Sequence, residues 1–447
     1  MASALLTTSN SPALQKLRSS AISPLLVLLA VSVFINYIDR GNLSIAAPLL
    51  KDELRLNGTQ LGILLSSFFW TYGLFQILSG WLVDRFKVGW VMAIGFFFWS
   101  AATSATGLLH SFSALLVVRI FLGIGESVAY PAYSKILARY VPDSNRGFAN
   151  ALIASGLAAG PAFGMLLGGI LVARFGWRPY FIFMGLISLF WLLPWLKWMP
   201  RESASELVHQ GEDSPATFAI LKQRSAWGTF IGLFCSGYPL YLLIAWLPFY
   251  LVRERHISMS SMAKIGGAIF LAQAVCSTIC GRLSDRWISL GASPTKVHKS
   301  FMVAGMFGTG TFLVVSSLVG PALCIAFLIL VGISLGMKMS NMWPITQRLA
   351  GPQASGRWTG LQCAFGNFSG AVASAVTGFV LDRTGHFFWA FVVSAGFSFI
   401  GALNWIFIVG PIKPIQWECA SSKRSHSAAS ATPARAQRSG LLNTSKA

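Results

Sequence analysis

Twelve runs of roughly 20 mostly apolar residues, joined by short polar turns, set the terms for everything else this chain can do. A run of that length spans the hydrocarbon core of a bilayer as a helix. The runs are read at 24–48, 59–82, 89–109, 112–138, 148–172, 178–198, 228–251, 262–283, 299–318, 321–345, 358–381 and 387–409. Only 11% of the 447 residues are charged and 54% are hydrophobic. A chain so poor in charge cannot cover a water-facing surface, so its solvent is lipid. The expected fold is all-α and integral to the membrane, with twelve transmembrane helices in two pseudo-symmetric six-helix bundles. The bundles are expected at 23–200 and 227–410, with a tail at 1–22, an inter-domain loop at 201–226 and a basic, disordered tail at 411–447.

Charge distribution sets the orientation. Of the 34 Lys and Arg residues, 23 fall in the N-tail, the C-tail and alternate loops with the adjoining run ends, 8 fall in the other loops and their adjoining run ends, and Arg40, Arg119 and Lys338 lie deep inside runs. The positive-inside rule then places both termini in the cytoplasm of a cell membrane. The net charge of +20 sits in short clusters between apolar runs rather than along one face, which argues against nucleic acid as a partner. No signal peptide is evident, because the first run is long and carries Asp39 and Arg40. Cys276 and Cys280 stand one turn apart with no His or carboxylate beside them, and read as packing residues. There is no nucleotide loop, metal triad or nucleophile–base pair, so no cofactor and no enzyme activity are expected.

The chain repeats itself. Gly80-Trp81-Leu82-Val83-Asp84-Arg85 and Gly281-Arg282-Leu283-Ser284-Asp285-Arg286 match at Gly, Leu, Asp and Arg with an offset of 201 residues. Phe175-Gly176-Trp177 and Thr384-Gly385-His386 align more loosely at an offset of 209. Two matches at nearly one offset indicate parallel six-helix repeats. The GxLxDR pattern resembles the signature of the major facilitator superfamily, over about residues 23–410, although its usual basic ending is absent. That resemblance implies a cytoplasmic latch in which Asp84 and Asp285 accept from the amides of a neighbouring helix end and Arg85 and Arg286 pair with carboxylate or lipid phosphate.

Charge inside a span costs several kcal/mol, so each such residue is a functional candidate. Asp39 and Arg40 lie near the middle of the first run, flanked by Asn36, Tyr37 and Asn42. Arg119 and Glu126 lie seven residues apart in the fourth, which puts them on one face about 10 Å apart along the axis. Together these are two carboxylates and two guanidiniums. Fully ionised, the set is neutral; protonating either carboxylate frees an Arg to bind an anion. That is a direct route to coupling between a proton and an anion. The plainer alternative is that the pairs only tie two helices together.

The context of these charges, Phe34-Ile35-Asn36-Tyr37-Ile38-Asp39-Arg40, is similar to the first helix of the anion:cation symporter family within that superfamily. Arg119-x3-Gly123-Ile124-Gly125-Glu126 and Tyr241-x4-Trp246-Leu247-Pro248 extend the resemblance. It implies a proton-coupled carrier of a small organic anion, monomeric in lipid, with Asp39 and Glu126 as proton-linked carboxylates. It implies that Arg40 and Arg119 pair with them and with the substrate, and that Tyr37, Tyr72, Tyr241, Asn367 and Trp343 contact substrate. Two positions depart from the family. Leu157 stands where sugar-acid carriers have a glutamine, which favours a less hydroxylated carboxylate. Lys338 is unusual in the tenth run: it either supplies a second positive contact to a divalent anion or snorkels to the inner interface. Gly156-x3-Gly160-Pro161-x2-Gly164 is similar to a motif of drug:proton antiporters, which keeps an exporter of amphipathic compounds as the alternative, although close helix packing explains it equally. A non-transporting sensor would need a signalling domain that the short tail does not offer.

Overall fold

The computed structural model describes residues 12–140, 152–153, 156–157, 159–199 and 217–417, with backbone alone at 12–23, 84, 138–139, 352–353 and 355–356. Hydrocarbon offers no partner for a peptide group, so a spanning segment must satisfy its own hydrogen bonds, and every apolar run described is helical. Among the described residues there is no strand. Six helices make the first half: α1 Pro12–Glu53, α2 Gly58–Arg85, α3 Val88–Thr106, α4 Phe112–Leu137, α5 Ala159–Phe175 and α6 Trp177–Trp198. Six make the second: α7 Arg224–Glu254, α8 Met259–Ser289, α9 Pro294–Leu318, α10 Pro321–Gly351, α11 Arg357–Thr384 and α12 Phe387–Phe407. Eleven of these are long and apolar enough to cross a membrane, and α5 is a shorter apolar helix. Residues 148–151, 154–155 and 158 of the fifth expected run lie outside the described residues.

Local chemistry marks the ends. Asn57 caps α2 in a reciprocal box with Gln60, and Ser111 and Ser258 accept from the first-turn amides of α4 and α8. Pro294 and Pro321 open α9 and α10, where a missing N–H costs nothing. Two expectations are corrected. Residues 346–357 were expected to be a loop but are largely helical, with the break confined to Gly351 at φ 67°. Residues 411–417 were assigned to a disordered tail. Instead Ile412 is buried, the Ile415 amide donates to the Leu349 carbonyl at 3.0 Å, and the Trp417 indole donates to the Ala350 carbonyl at 2.8 Å. Aromatic and aliphatic side chains outweigh the tail's polarity there. Apolar residues such as Leu74, Ile77, Phe98, Phe190 and Leu323 point outward, a surface suited to lipid rather than water.

The two halves meet closely at the end of the bundle where α1 passes into α2 and α11 into α12, here termed the distal end. Gly62 on α2 faces Gly378 on α11 so tightly that a Cβ on Gly62 would lie 3.1 Å from the Gly378 Cα and 2.8 Å from the Ser374 carbonyl. Asp382, at the end of α11, accepts from the Gly58 and Thr59 amides at 2.6 Å each. It caps the N-terminus of α2 from the other half, where the helix dipole favours a carboxylate. Beside it Arg253 pairs with Asp52 and donates to the Pro48 carbonyl at 3.1 Å. Arg178 and Trp177 close the same end within the first half by donating to Glu53, Arg178 at 2.7 Å and Trp177 at 2.6 Å.

The cap yields a test. Asp382→Ala removes two charge-assisted bonds at a partly exposed site, worth about 1 kcal/mol together, or about fivefold in the equilibrium between closed and open distal ends. Labelling of a cysteine introduced near the Gly58 end should speed up by about that factor. An unchanged labelling rate would show that the cap does not hold this end shut.

Candidate functional site

The centre of the first half is built where glycines let three helices converge. A Cβ at Gly123 on α4 would meet the Phe68 carbonyl at 2.5 Å and the Tyr72 amide at 3.2 Å on α2. A Cβ at Gly125 would meet the Trp99 amide of α3 at 2.9 Å. With α2 and α3 closed so tightly on α4, Arg119 and Glu126 are sealed from solvent, 3% and 0% exposed. Asp39 and Arg40 on α1 are sealed against them, at 2% and 8%.

The expected cluster therefore assembles. Arg40 Nε lies 3.5 Å from Glu126 Oε2. Asp39 lies within Coulombic reach of both Arg119 and Glu126. Asn42 donates from Nδ2 to Asp39 Oδ1 at 2.8 Å and is itself held by the Tyr180 hydroxyl of α6. The Arg40 guanidinium sits 4.4 Å from the Tyr72 ring, 4.6 Å from the Tyr37 ring and 5.5 Å from the Phe68 ring. Arg119 lies 5.2 Å from the same Phe68 ring. Aromatic faces give each cation partial electrostatic support without consuming its N–H donors. A donor and an acceptor are left over. Among the described residues Arg119 Nε and Asp39 Oδ2 have no hydrogen-bond partner, and Glu126 Oε2 meets Arg40 at ion-pair distance. A structural ion pair at this depth would need those positions filled; a ligand site needs them free.

A second group joins from the other half. Tyr241 of α7 donates to Asn367 Oδ1 of α11 at 2.9 Å. Asn367 Nδ2 donates to Gln76 Oε1 of α2 at 3.3 Å, and Gln76 Nε2 donates to the Tyr72 hydroxyl at 3.2 Å. The Tyr241 ring meets Phe69 edge-on at 4.7 Å. Tyr37 shares a hydrogen bond of 3.1 Å with the Tyr130 hydroxyl of α4. Gln76, Phe68 and Tyr130 escaped the sequence reading. Each lies one turn from a residue that it singled out: Gln76 and Phe68 flank Tyr72, and Tyr130 follows Glu126. A cavity beside Arg40, lined by Tyr37, Gly41, Pro161, Ile244 and Phe270 among others, has a volume of about 10 Å³. That is room for one water and not for a six-carbon acid, so this side of the centre is closed up.

Other expected residues lie apart. Lys338 is fully buried and donates to the Ser236 carbonyl of α7 at 3.1 Å, inside the second half. That contact rules out snorkelling to the interface: its ammonium is tethered to a backbone carbonyl between α7 and α10. Trp343 is half-buried, five residues further along α10. Arg85, Asp285 and Arg286 are exposed, and the Asp84 side chain lies outside the described residues. A carboxylate does cap a helix across the halves, but it is Asp382, at the opposite end from the expected latch. At Leu157 the structure places an apolar side chain packed into the first half's core. Gly160 packs so closely that its Cβ would lie 2.5 Å from the Tyr37 Cβ, which accounts for the Gly-Pro motif as helix packing.

The buried pair makes a stability prediction. Glu126→Leu leaves Arg40 uncompensated and should cost about 3 kcal/mol, whereas adding Arg40→Met should recover most of that loss. Melting temperatures of the single and double variants in one detergent check this. A double variant as unstable as the single one would mean the pair is not the coupled unit described.

The family comparison agrees with this geometry. Residues 29–374 match the model of the Major Facilitator Superfamily. The chain is 30% identical to a probable sulfoacetate transporter of Cupriavidus necator, covering 86% of this chain and 93% of that one. It is 29% identical to the hexuronate transporter of Bacillus subtilis, over 87% of this chain and 95% of that one. It is 28% identical to a probable L-galactonate transporter of Escherichia coli, over 86% and 88% respectively. In fold it is similar to a bacterial homologue of the human lysosomal transporter Spinster, with a TM-score of 0.72 at 18% identity, covering 86% of this chain and 96% of that one. Twelve apolar helices in two facing sets of six, a match across most of the chain and relatives that are transporters over nearly their full length place this multi-pass membrane protein in the major facilitator superfamily.

Proposed function

We propose that this chain carries a small organic anion together with protons by alternating access, with uptake as the direction. The observation that carries the reading is the sealed set of two carboxylates and two guanidiniums with a donor on Arg119 and an acceptor on Asp39 unfilled. In the ionised, empty state the charges cancel, and Arg40 leans on Glu126. An arriving carboxylate competes for Arg40 and Arg119, because a guanidinium binds a carboxylate bidentately. Once the anion is seated, the set carries one negative charge too many in a low-dielectric centre. A proton on Asp39 or Glu126 restores neutrality. Anion and proton therefore enter together, and neither is stable in the site alone.

The charge pattern of the loops supports a cytoplasmic location for both termini in a cell membrane. The distal end then faces outside, and Asp382 and Arg253 hold it shut in the conformation described. The relatives' substrates are acids with few carbons, including hexuronate, L-galactonate and sulfoacetate, which supports an acid of that size here. We assign Tyr37, Tyr72, Tyr241 and Asn367 to the polar part of that acid. Lys338 acts through α7, whose Ser236 carbonyl it holds about one turn from Tyr241. The Gly156–Gly164 stretch packs against α1, so nothing in it favours the exporter.

In proteoliposomes with an acidic exterior, the protein should accumulate labelled acid above equilibrium. Asp39→Asn and Glu126→Gln should abolish that accumulation while keeping exchange of internal for external acid. Arg119→Ala should lose binding by 100-fold or more, since it removes a charged partner in a desolvated site. Full concentrative uptake by Asp39→Asn would defeat the coupling scheme.

A further inference from the structure

We propose that Gln76 is a specificity-determining residue of this site, reading the hydroxyl groups of a polyhydroxylated monocarboxylate. The inference rests on the anion-carrier reading above and names the class of acid. A glutamine in a membrane helix must find partners for its amide or lose several kcal/mol of hydration. Gln76 finds them on both sides of the transport path. Its Nε2 donates to the Tyr72 hydroxyl at 3.2 Å on its own helix, and its Oε1 accepts from Asn367 at 3.3 Å on α11. Asn367 in turn accepts from Tyr241 at 2.9 Å. The four groups form one row with a single sense, from Tyr241 through Asn367 and Gln76 to Tyr72.

The row begins where the positive charge ends. The Tyr72 ring lies 4.4 Å from the Arg40 guanidinium, so an acid with its carboxylate on Arg40 extends its carbon chain past Tyr72 toward Gln76. The row itself is uncharged. Tyr72 keeps its O–H, and both amides keep a second N–H, so donors and acceptors alternate along it. The two bonds to Gln76 are longer than the usual 2.9–3.0 Å for N–H···O, and a ligand can replace them readily. A hydroxyl is both donor and acceptor, so a polyol inserted between Gln76 and Asn367 leaves every group bonded. A bare alkyl chain would open the same bond and satisfy neither amide. Rocking of one half on the other must also part Gln76 from Asn367, and a hydroxylated ligand keeps both amides bonded when it does. The row supplies from α2 the amide chemistry that α5 lacks at Leu157.

The test uses the full-length protein and two six-carbon acids, L-galactonate and hexanoate, which differ in their hydroxyls. Dissociation constants are measured for wild type and Gln76→Leu, with the unliganded melting temperature as a folding check. Wild type should bind L-galactonate, and Gln76→Leu should weaken it about tenfold, the scale of one or two lost hydrogen bonds, while any hexanoate binding changes less than twofold. Unchanged L-galactonate affinity, or an equal loss for both acids, overturns the role of Gln76 and leaves the anion-carrier reading standing. A wild-type protein that binds hexanoate but not L-galactonate also overturns it. A wild-type protein that binds neither acid overturns this inference, and the carrier reading then stands or falls on whether that protein accumulates any other labelled acid from an acidic exterior.

Discussion

Four charges in a place without water govern this molecule. Asp39, Arg40, Arg119 and Glu126 are each less than a tenth exposed, and a lone ion so placed would be intolerable. The set is tolerable only because its charges cancel. That condition explains why α1, α2, α3 and α4 must pack to van der Waals contact around it, and why Gly123 and Gly125 precede Glu126 with no side chain of their own. It also explains the aromatic collar of Tyr37, Phe68 and Tyr72, whose faces stabilise guanidiniums while leaving their N–H donors unspent.

Cancellation turns structure into mechanism. Any ligand that adds charge must be matched by one that removes it. In the proposed scheme an anion demands a proton, and the carboxylates that would accept it already sit beside the guanidiniums that would hold the anion. Among the described residues the second half adds no buried carboxylate to this arrangement. It contributes neutral hydrogen-bonding groups, Tyr241 and Asn367, and a lysine turned inward onto its own backbone. The four charges all lie in the first half, and the neutral row is shared, with Tyr72 and Gln76 from the first half and Tyr241 and Asn367 from the second. The distal cap by Asp382 joins the halves at one end, and the Gln76–Asn367 bond joins them at the centre.

Much of this was legible before any coordinates. A span's length and apolarity suffice for a helix, and charges within such spans advertise themselves, so the quartet could be listed from the chain alone. Tyr72, Tyr241 and Asn367 were reachable through motif context. What escaped has a common physical cause. Gln76 and Asp382 matter through partners 291 and 324 residues away, contacts that arise only when the two halves dock. Nothing in the chain alone separates Phe68 from the lipid-facing aromatics of α2, because the faces of the helix are set by packing. Lys338 was visible, but the direction of its side chain was not, since one helix position serves the path or the interior depending on a rotation that α7 and α9 decide. The helical 346–357 stretch and the docked 411–417 segment were hidden because tertiary packing overrode local polarity.

The central claim is that the anion and the proton share one neutral centre. Calorimetric titration of the purified protein with its acid, repeated in buffers of different ionisation enthalpy, counts protons taken up per anion bound. The account predicts close to one proton per anion near neutral pH, falling toward zero in the Glu126→Gln variant. Tight anion binding to the wild-type protein with no proton uptake at any pH would contradict it.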